Sequence, residues 1–85
     1  MRKTMTDQNA KTIQRGLYKH NKTGNLYEVV GVALHTETDE QFVIYRAASY
    51  DSDYELFARP YEMFIGTVEI NAEQVPRFKY VAKAK

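Results

Sequence analysis

From Gly16 onward the apolar residues of this 85-residue chain fall in short runs separated by turn-forming residues; the first fourteen positions carry no apolar period. Short runs of period two, bounded by Gly, Asn, Asp and Pro, are the pattern of an all-β fold. GLYKH, residues 16–20, predicts a first strand, and NKTGN after it predicts a type I turn closing on a glycine bulge at Gly24. LYEVVGVALH, residues 26–35, predicts the longest strand. Its alternation slips at Gly31: Tyr27 and Val29 share one face, but the next apolar positions are Val32 and Leu34. A bulge or sharp coil at Gly31 would return both pairs to the core side.

TETDEQ, residues 36–41, reads as a polar loop, and FVIYRAAS, residues 42–49, as a central strand that is apolar on both faces. YDSD, residues 50–53, is a turn, and YELFAR, residues 54–59, a fourth strand with Tyr54, Leu56 and Ala58 opposite Glu55, Phe57 and Arg59. Pro60 fixes φ and lacks a donor, so it ends a strand and starts a helical turn. In that turn Met63 and Phe64 fold inward, and Gly66 releases the chain into TVEI, residues 67–70. NAEQ is then a loop, and VPRFKYV, residues 75–81, a sixth, edge strand that tolerates Pro76. Tyr18, Tyr27, Met63, Phe64, Val68 and Ile70 are the expected core. This order of elements predicts a small SH3-like barrel of five to six strands at residues 15–81. Residues 1–14 are expected to be a flexible N-terminal extension and residues 82–85 a flexible C-terminal tail.

Composition narrows the class. Seven Tyr, four Phe and a 44% hydrophobic share suit one compact domain rather than a disordered chain. Absence of cysteine excludes disulfides, thiolate metal sites and cysteine nucleophiles. The polar N-terminus resembles neither a leader peptide nor a membrane span, which implies a cytoplasmic protein with no membrane partner.

The net charge of +1 hides an asymmetry. Residues 1–15 carry +3 from Arg2, Lys3, Lys11 and Arg15 against Asp7, and the last seven residues another +3 from Lys79, Lys83 and Lys85. Residues 16–78 hold five basic and ten acidic side chains, hence −5. A nucleic-acid-binding body would have the opposite balance, so the charge argues against that partner.

Five motifs in order resemble one family: G-L-Y-x-H (16–20), G-N-L-Y-E-V-x-G-V-A-x-H-x-E-T (24–38), V-x-Y-R (43–46), R-P-x-E-M-F (59–64) and V-P-R-F (75–78). Together they resemble the bacterial family catalogued as domain of unknown function 1653, over residues 16 to about 81. The resemblance implies an SH3-type barrel and carries no biochemical activity. It also implies that residues 1–14 extend beyond the shared domain.

Candidate chemistry is sparse. His35 and Glu37 form an H-x-E pair that shares a face if the strand continues through them. With His20 the only other histidine, this reads better as a rim hydrogen bond than as a metal site. The same pair could serve acid–base chemistry, but no nucleophile, serine elbow or glycine-rich phosphate loop accompanies it, and no cofactor is implied. Tyr45, Arg46, Phe57 and Arg59 fall on neighbouring strands, where an arginine beside aromatics can stack and bind a carboxylate or phosphate. In the competing structural role, Arg46 and Arg59 pair with Glu55, Glu62 or Glu69 and hold the corner shut.

The leading expectation is a non-enzymatic binding or adaptor module for a peptide or a small anionic ligand. Its surface would comprise His35, Glu37, Tyr45, Arg46, Phe57 and Arg59, provided that Arg46 lies on the Phe57 side. One rival is a small enzyme or ligand-binding domain using His35, Glu37 and Arg46. The other is a nucleic-acid-associated domain acting through the basic tails. No motif encodes a ligand identity or an oligomeric state.

Overall fold

The structure, a computed structural model, describes residues 10–84. Its strands are β1 (Gly16–His20), β2 (Leu26–Leu34), β3 (Gln41–Ala47), β4 (Phe57–Pro60), β5 (Thr67–Ile70), β6 (Glu73–Pro76) and β7 (Phe78–Ala82), and one helical turn, α1 (Tyr61–Phe64), precedes β5. A five-stranded antiparallel sheet runs β4-β3-β2-β1-β7, and β5 and β6 form a separate hairpin. No helix among the described residues is long and apolar enough to cross a membrane.

The expected all-β fold with a helical turn before the fifth strand stands; the strand count rises from five or six to seven. The added strand joins Glu73 and Gln74, expected in a loop, to Val75 and Pro76. Asn71 and Ala72 both have positive φ, at 53° and 67°, and join Ile70 to its partner Glu73 as a two-residue turn of the I′ kind. The run expected as one strand over residues 75–81 is broken at Arg77. There the backbone N–H donates to Gly66 O at 2.9 Å and the carbonyl accepts from Asn21 N–H at 3.0 Å, so the chain passes from one sheet to the other.

The slip in β2 is a bulge. Val29 pairs with Tyr45 and Gly31 with Ile44, leaving Val30 without a partner. Val29 and Val32 therefore both sit opposite inward residues of β3, Tyr45 and Val43. β3 alternates cleanly: Val43 and Tyr45 are buried, and Arg46 is exposed on the other face.

Strand β4 is shorter than expected. It begins at Phe57, opposite Tyr45, because β3 turns away after Ala47: Ala48 and Ser49 hydrogen-bond Leu26 instead. Tyr54 is 72% exposed and Leu56 lies outside the strand; of the two expected faces, the one carrying Phe57 and Arg59 points inward.

The corner after Pro60 packs through one residue. Phe64 is 1% exposed, stacks on Phe78 at 4.0 Å, and meets the edges of Tyr18 and Tyr45 at 5.5 and 5.2 Å. Met63 was expected beside it but is 47% exposed. In a single turn, neighbouring side chains point about 100° apart, so one of the two must face water. Val68 and Ile70 lie half-buried in the β5–β6 hairpin, outside the main core of Tyr18, Val29, Val43, Tyr45, Phe64 and Phe78. Tyr27 packs against that core as expected.

Described residues flanking the domain on both sides are in contact with it. Ala82 still pairs with Leu17, so the strand runs one residue into the expected C-terminal tail. Of the N-terminal extension, residues 1–9 lie outside the described residues, and residues 11–14 lie against the domain, with Ile13 packed on the core. Gly16 follows with φ at +141°; a Cβ there would meet Ala82 O at 2.6 Å, so only glycine lets the segment turn into β1 beside β7.

Candidate functional site

The six residues expected to form one surface divide between the two faces of the sheet. Tyr45, Phe57 and Arg59 point to the inner face and meet. The rings of Tyr45 and Phe57 are 5.6 Å apart, and Arg59 Nε donates to the Tyr45 hydroxyl at 3.2 Å. Arg46 points to the outer face, where its Nε lies 3.1 Å from the carboxylate of Glu28, its cross-strand partner. That parity removes Arg46 from the expected surface. It lines an open groove of about 480 Å³ together with Arg15, Gly16, Glu28 and Lys83.

His35 and Glu37 lie in the turn between β2 and β3. The His35 Nδ1 accepts the Glu37 backbone N–H at 3.2 Å, and the His35 carbonyl accepts from Thr38 and Asp39. The imidazole leans on Phe42, an outer-face residue, with ring centres 6.2 Å apart. From Gln41 to Arg46 the strand rises about 16 Å, so His35, Glu37 and Arg46 do not converge on one point. No group of three metal-ligating side chains occurs among the described residues.

The inner-face trio gains neighbours that the sequence reading assigned elsewhere or left out. Tyr27 lies edge-on to Tyr45, Phe57 and Phe78 at 5.4, 6.2 and 5.9 Å, and its hydroxyl is 3.2 Å from that of Tyr50, a 41% exposed residue. His20 stands perpendicular to Phe78 at 4.9 Å, and the Arg59 guanidinium carbon is 5.7 Å from the centre of the same ring. The β1–β2 and β1–β7 registers explain the gathering, because Tyr27 opposes Tyr18 and Phe78 opposes His20. Period-two spacing from Tyr18 would have put His20 on the inner face; the missing step was the pairing of β1 with β7.

The electrostatics of this cluster are cationic. Arg59 is half-buried and has no carboxylate partner among the described residues, and its one hydrogen bond there uses Nε. The expected alternative, pairing of Arg46 and Arg59 with Glu55, Glu62 or Glu69, is absent among the described residues. Burial lowers the pKa of His20 from its ordinary value, and the charges of Arg59, Arg77 and Lys22 lower it further. His20 Nδ1 accepts the Thr23 backbone N–H at 3.3 Å, so the neutral ring carries its proton on Nε2 and offers a donor there. Burial likewise raises the pKa of Tyr27, and its bond to Tyr50 adds to the rise. A guanidinium held by one nitrogen, an imidazole N–H and a wall of aromatic rings together suit a planar anion.

The family model described as "Protein of unknown function (DUF1653)" matches residues 16–80. A crystal structure of a protein belonging to DUF1653 from Bordetella bronchiseptica is similar to the chain, with a TM-score of 0.76 and 32% identity over 86% of this chain and 92% of that one. No curated protein matches. The match runs from the first strand to the last and takes in the whole inner-face cluster: the chain belongs to the DUF1653 family.

Proposed function

We propose that the chain is a binding module whose ligand carries a carboxylate or phosphate beside a flat apolar group, as a small molecule or at the end of a peptide. The observation that supports this reading is Arg59. Its side chain is held by the Tyr45 hydroxyl through Nε, set against Phe78, and left without a carboxylate partner among the described residues. With Nε engaged, the paired Nη atoms remain for a bidentate oxyanion, and the neutral His20 adds a donor. Tyr27, Tyr50 and Phe57 supply a surface for the ligand's flat part.

The probes are benzoate and phenyl phosphate, titrated into the isotope-labelled full chain at constant ionic strength, with inorganic phosphate as the reference. The expected result is saturable chemical-shift change at His20, Tyr27, Tyr50, Phe57 and Arg59 with one or both aromatic anions. Arg59→Lys keeps the charge and loses the fork, so it should weaken binding at least tenfold while the domain stays folded, with no more loss of stability than removal of the Tyr45 hydroxyl causes. Unsaturable shifts, or equal binding by Arg59→Lys, would remove Arg59 from the role and the reading with it.

A further inference from the structure

Residues 11–15 precede the family match at 16–80 and belong to no strand or helix, yet side chains of the domain hold their backbone. Gln41 Oε1 accepts the Lys11 N–H at 2.8 Å, the Tyr61 hydroxyl donates to Thr12 O at 2.9 Å, and the Tyr18 hydroxyl donates to Gln14 O at 2.6 Å. Between the two bonded carbonyls, the Ile13 side chain packs on the core. Lys11 Nζ lies 3.7 Å from the Glu62 carboxylate and 5.6 Å from the centre of the Tyr61 ring.

This is the way a protein grips an extended peptide. Side-chain hydroxyls and an amide satisfy backbone groups whatever the sequence, and separate contacts read one apolar anchor and one cation. A strand of the domain would be held by the backbone ladder, which residues 11–15 do not join. The grip comes from residues on β1, β3 and α1, all within the matched domain, while its occupant lies outside it.

We infer that Tyr18, Gln41, Tyr61 and Glu62 form a peptide-docking groove for an extended segment of the pattern Lys-x-Ile-x, and that residues 11–14 are its intramolecular occupant. Such a segment from a partner protein takes the groove only by displacing them. The cis occupant competes at an effective concentration in the millimolar range, as short tethers give. The groove does not use Arg59 or His20, so this inference and the anion-binding reading can fail separately.

The test uses the full chain carrying Ile13→Asp, which removes the anchor, and a synthetic peptide of residues 10–15, AKTIQR, blocked at both ends. NMR titration should give saturable shifts at Tyr18, Gln41, Tyr61 and Glu62 in the variant, and a response at least tenfold weaker in the parent chain. A peptide with aspartate in place of the isoleucine should not bind, and Tyr61→Phe added to Ile13→Asp should weaken binding several-fold. A folded variant that does not bind AKTIQR overturns the inference. So does an unfolded one, because a displaceable occupant leaves without taking the fold with it.

Discussion

Arg59 donates its Nε–H to the Tyr45 hydroxyl at 3.2 Å, joining a residue of the buried core to the half-exposed cationic rim. Tyr45 thus has two roles: its ring packs against Phe64, Phe78 and Tyr27, and its oxygen orients a guanidinium. Tyr45→Phe separates them. The ring stays, the charge-assisted bond goes, and the expected loss of stability is about 1–2 kcal/mol, read as a lower urea midpoint at unchanged slope. An unchanged midpoint would mean that water replaces the hydroxyl without cost and that Arg59 is not held through this bond.

Phe64 and Met63 are neighbours in one turn with opposite surroundings, 1% and 47% exposed. Phe64→Ala should cost about 3–5 kcal/mol, the usual range for a fully buried phenylalanine. In a domain of this size that is about 15 °C or more in melting temperature. Met63→Ala should stay within about 0.5 kcal/mol of the parent, as surface substitutions do. Comparable losses from the two changes would place Met63 in the core after all.

Ala72 sits at φ 67° in the second position of a type I′ turn, where its Cβ crowds the backbone. Glycine is at ease there but gives the unfolded chain more freedom, so the two effects partly cancel. Ala72→Gly is expected to stabilise the domain by about 0.5–1 kcal/mol net. A calorimetric melt that moves downward would show that the turn does not hold Ala72 left-handed in solution.

What the sequence revealed and what it hid follow from the range of the interactions. Strands β1 and β2, the bulge, and the helical turn after Pro60 were legible because each rests on local spacing and turn chemistry. The type I′ turn was not, since Asn-Ala lacks the glycine that marks such turns. The parity of β3 was equally hidden. Phe42, Val43, Ile44 and Tyr45 are all apolar, and only the pairing of Glu28 with Arg46 fixes which face is outward. Of the six expected site residues, Tyr45, Phe57 and Arg59 meet because they share a hairpin, while His35 and Glu37 close a turn at its far end. His20 and Phe78 joined the cluster through a pairing of strands nearly sixty residues apart, beyond the reach of periodicity.

His20 titrates below its ordinary value of 6.5, first because the folded domain partly buries it and then because Arg59, Arg77 and Lys22 oppose a further positive charge. The unfolded chain therefore takes the proton more readily. The contribution of neutral His20 to stability is complete above 6.5 and is lost as the pH falls through the lowered folded value. His20→Gln, which cannot titrate, should lack this part of the pH dependence. The stability of the parent relative to the variant should then decline as the pH is lowered from 7.5 toward 5. The His20 ring resonance should give a midpoint below 6.5, and an anion bound at Arg59 should move that midpoint upward by offsetting the cations around the ring. A midpoint at or above the ordinary value without any anion would mean that His20 does not share the Phe78 surface with Arg59.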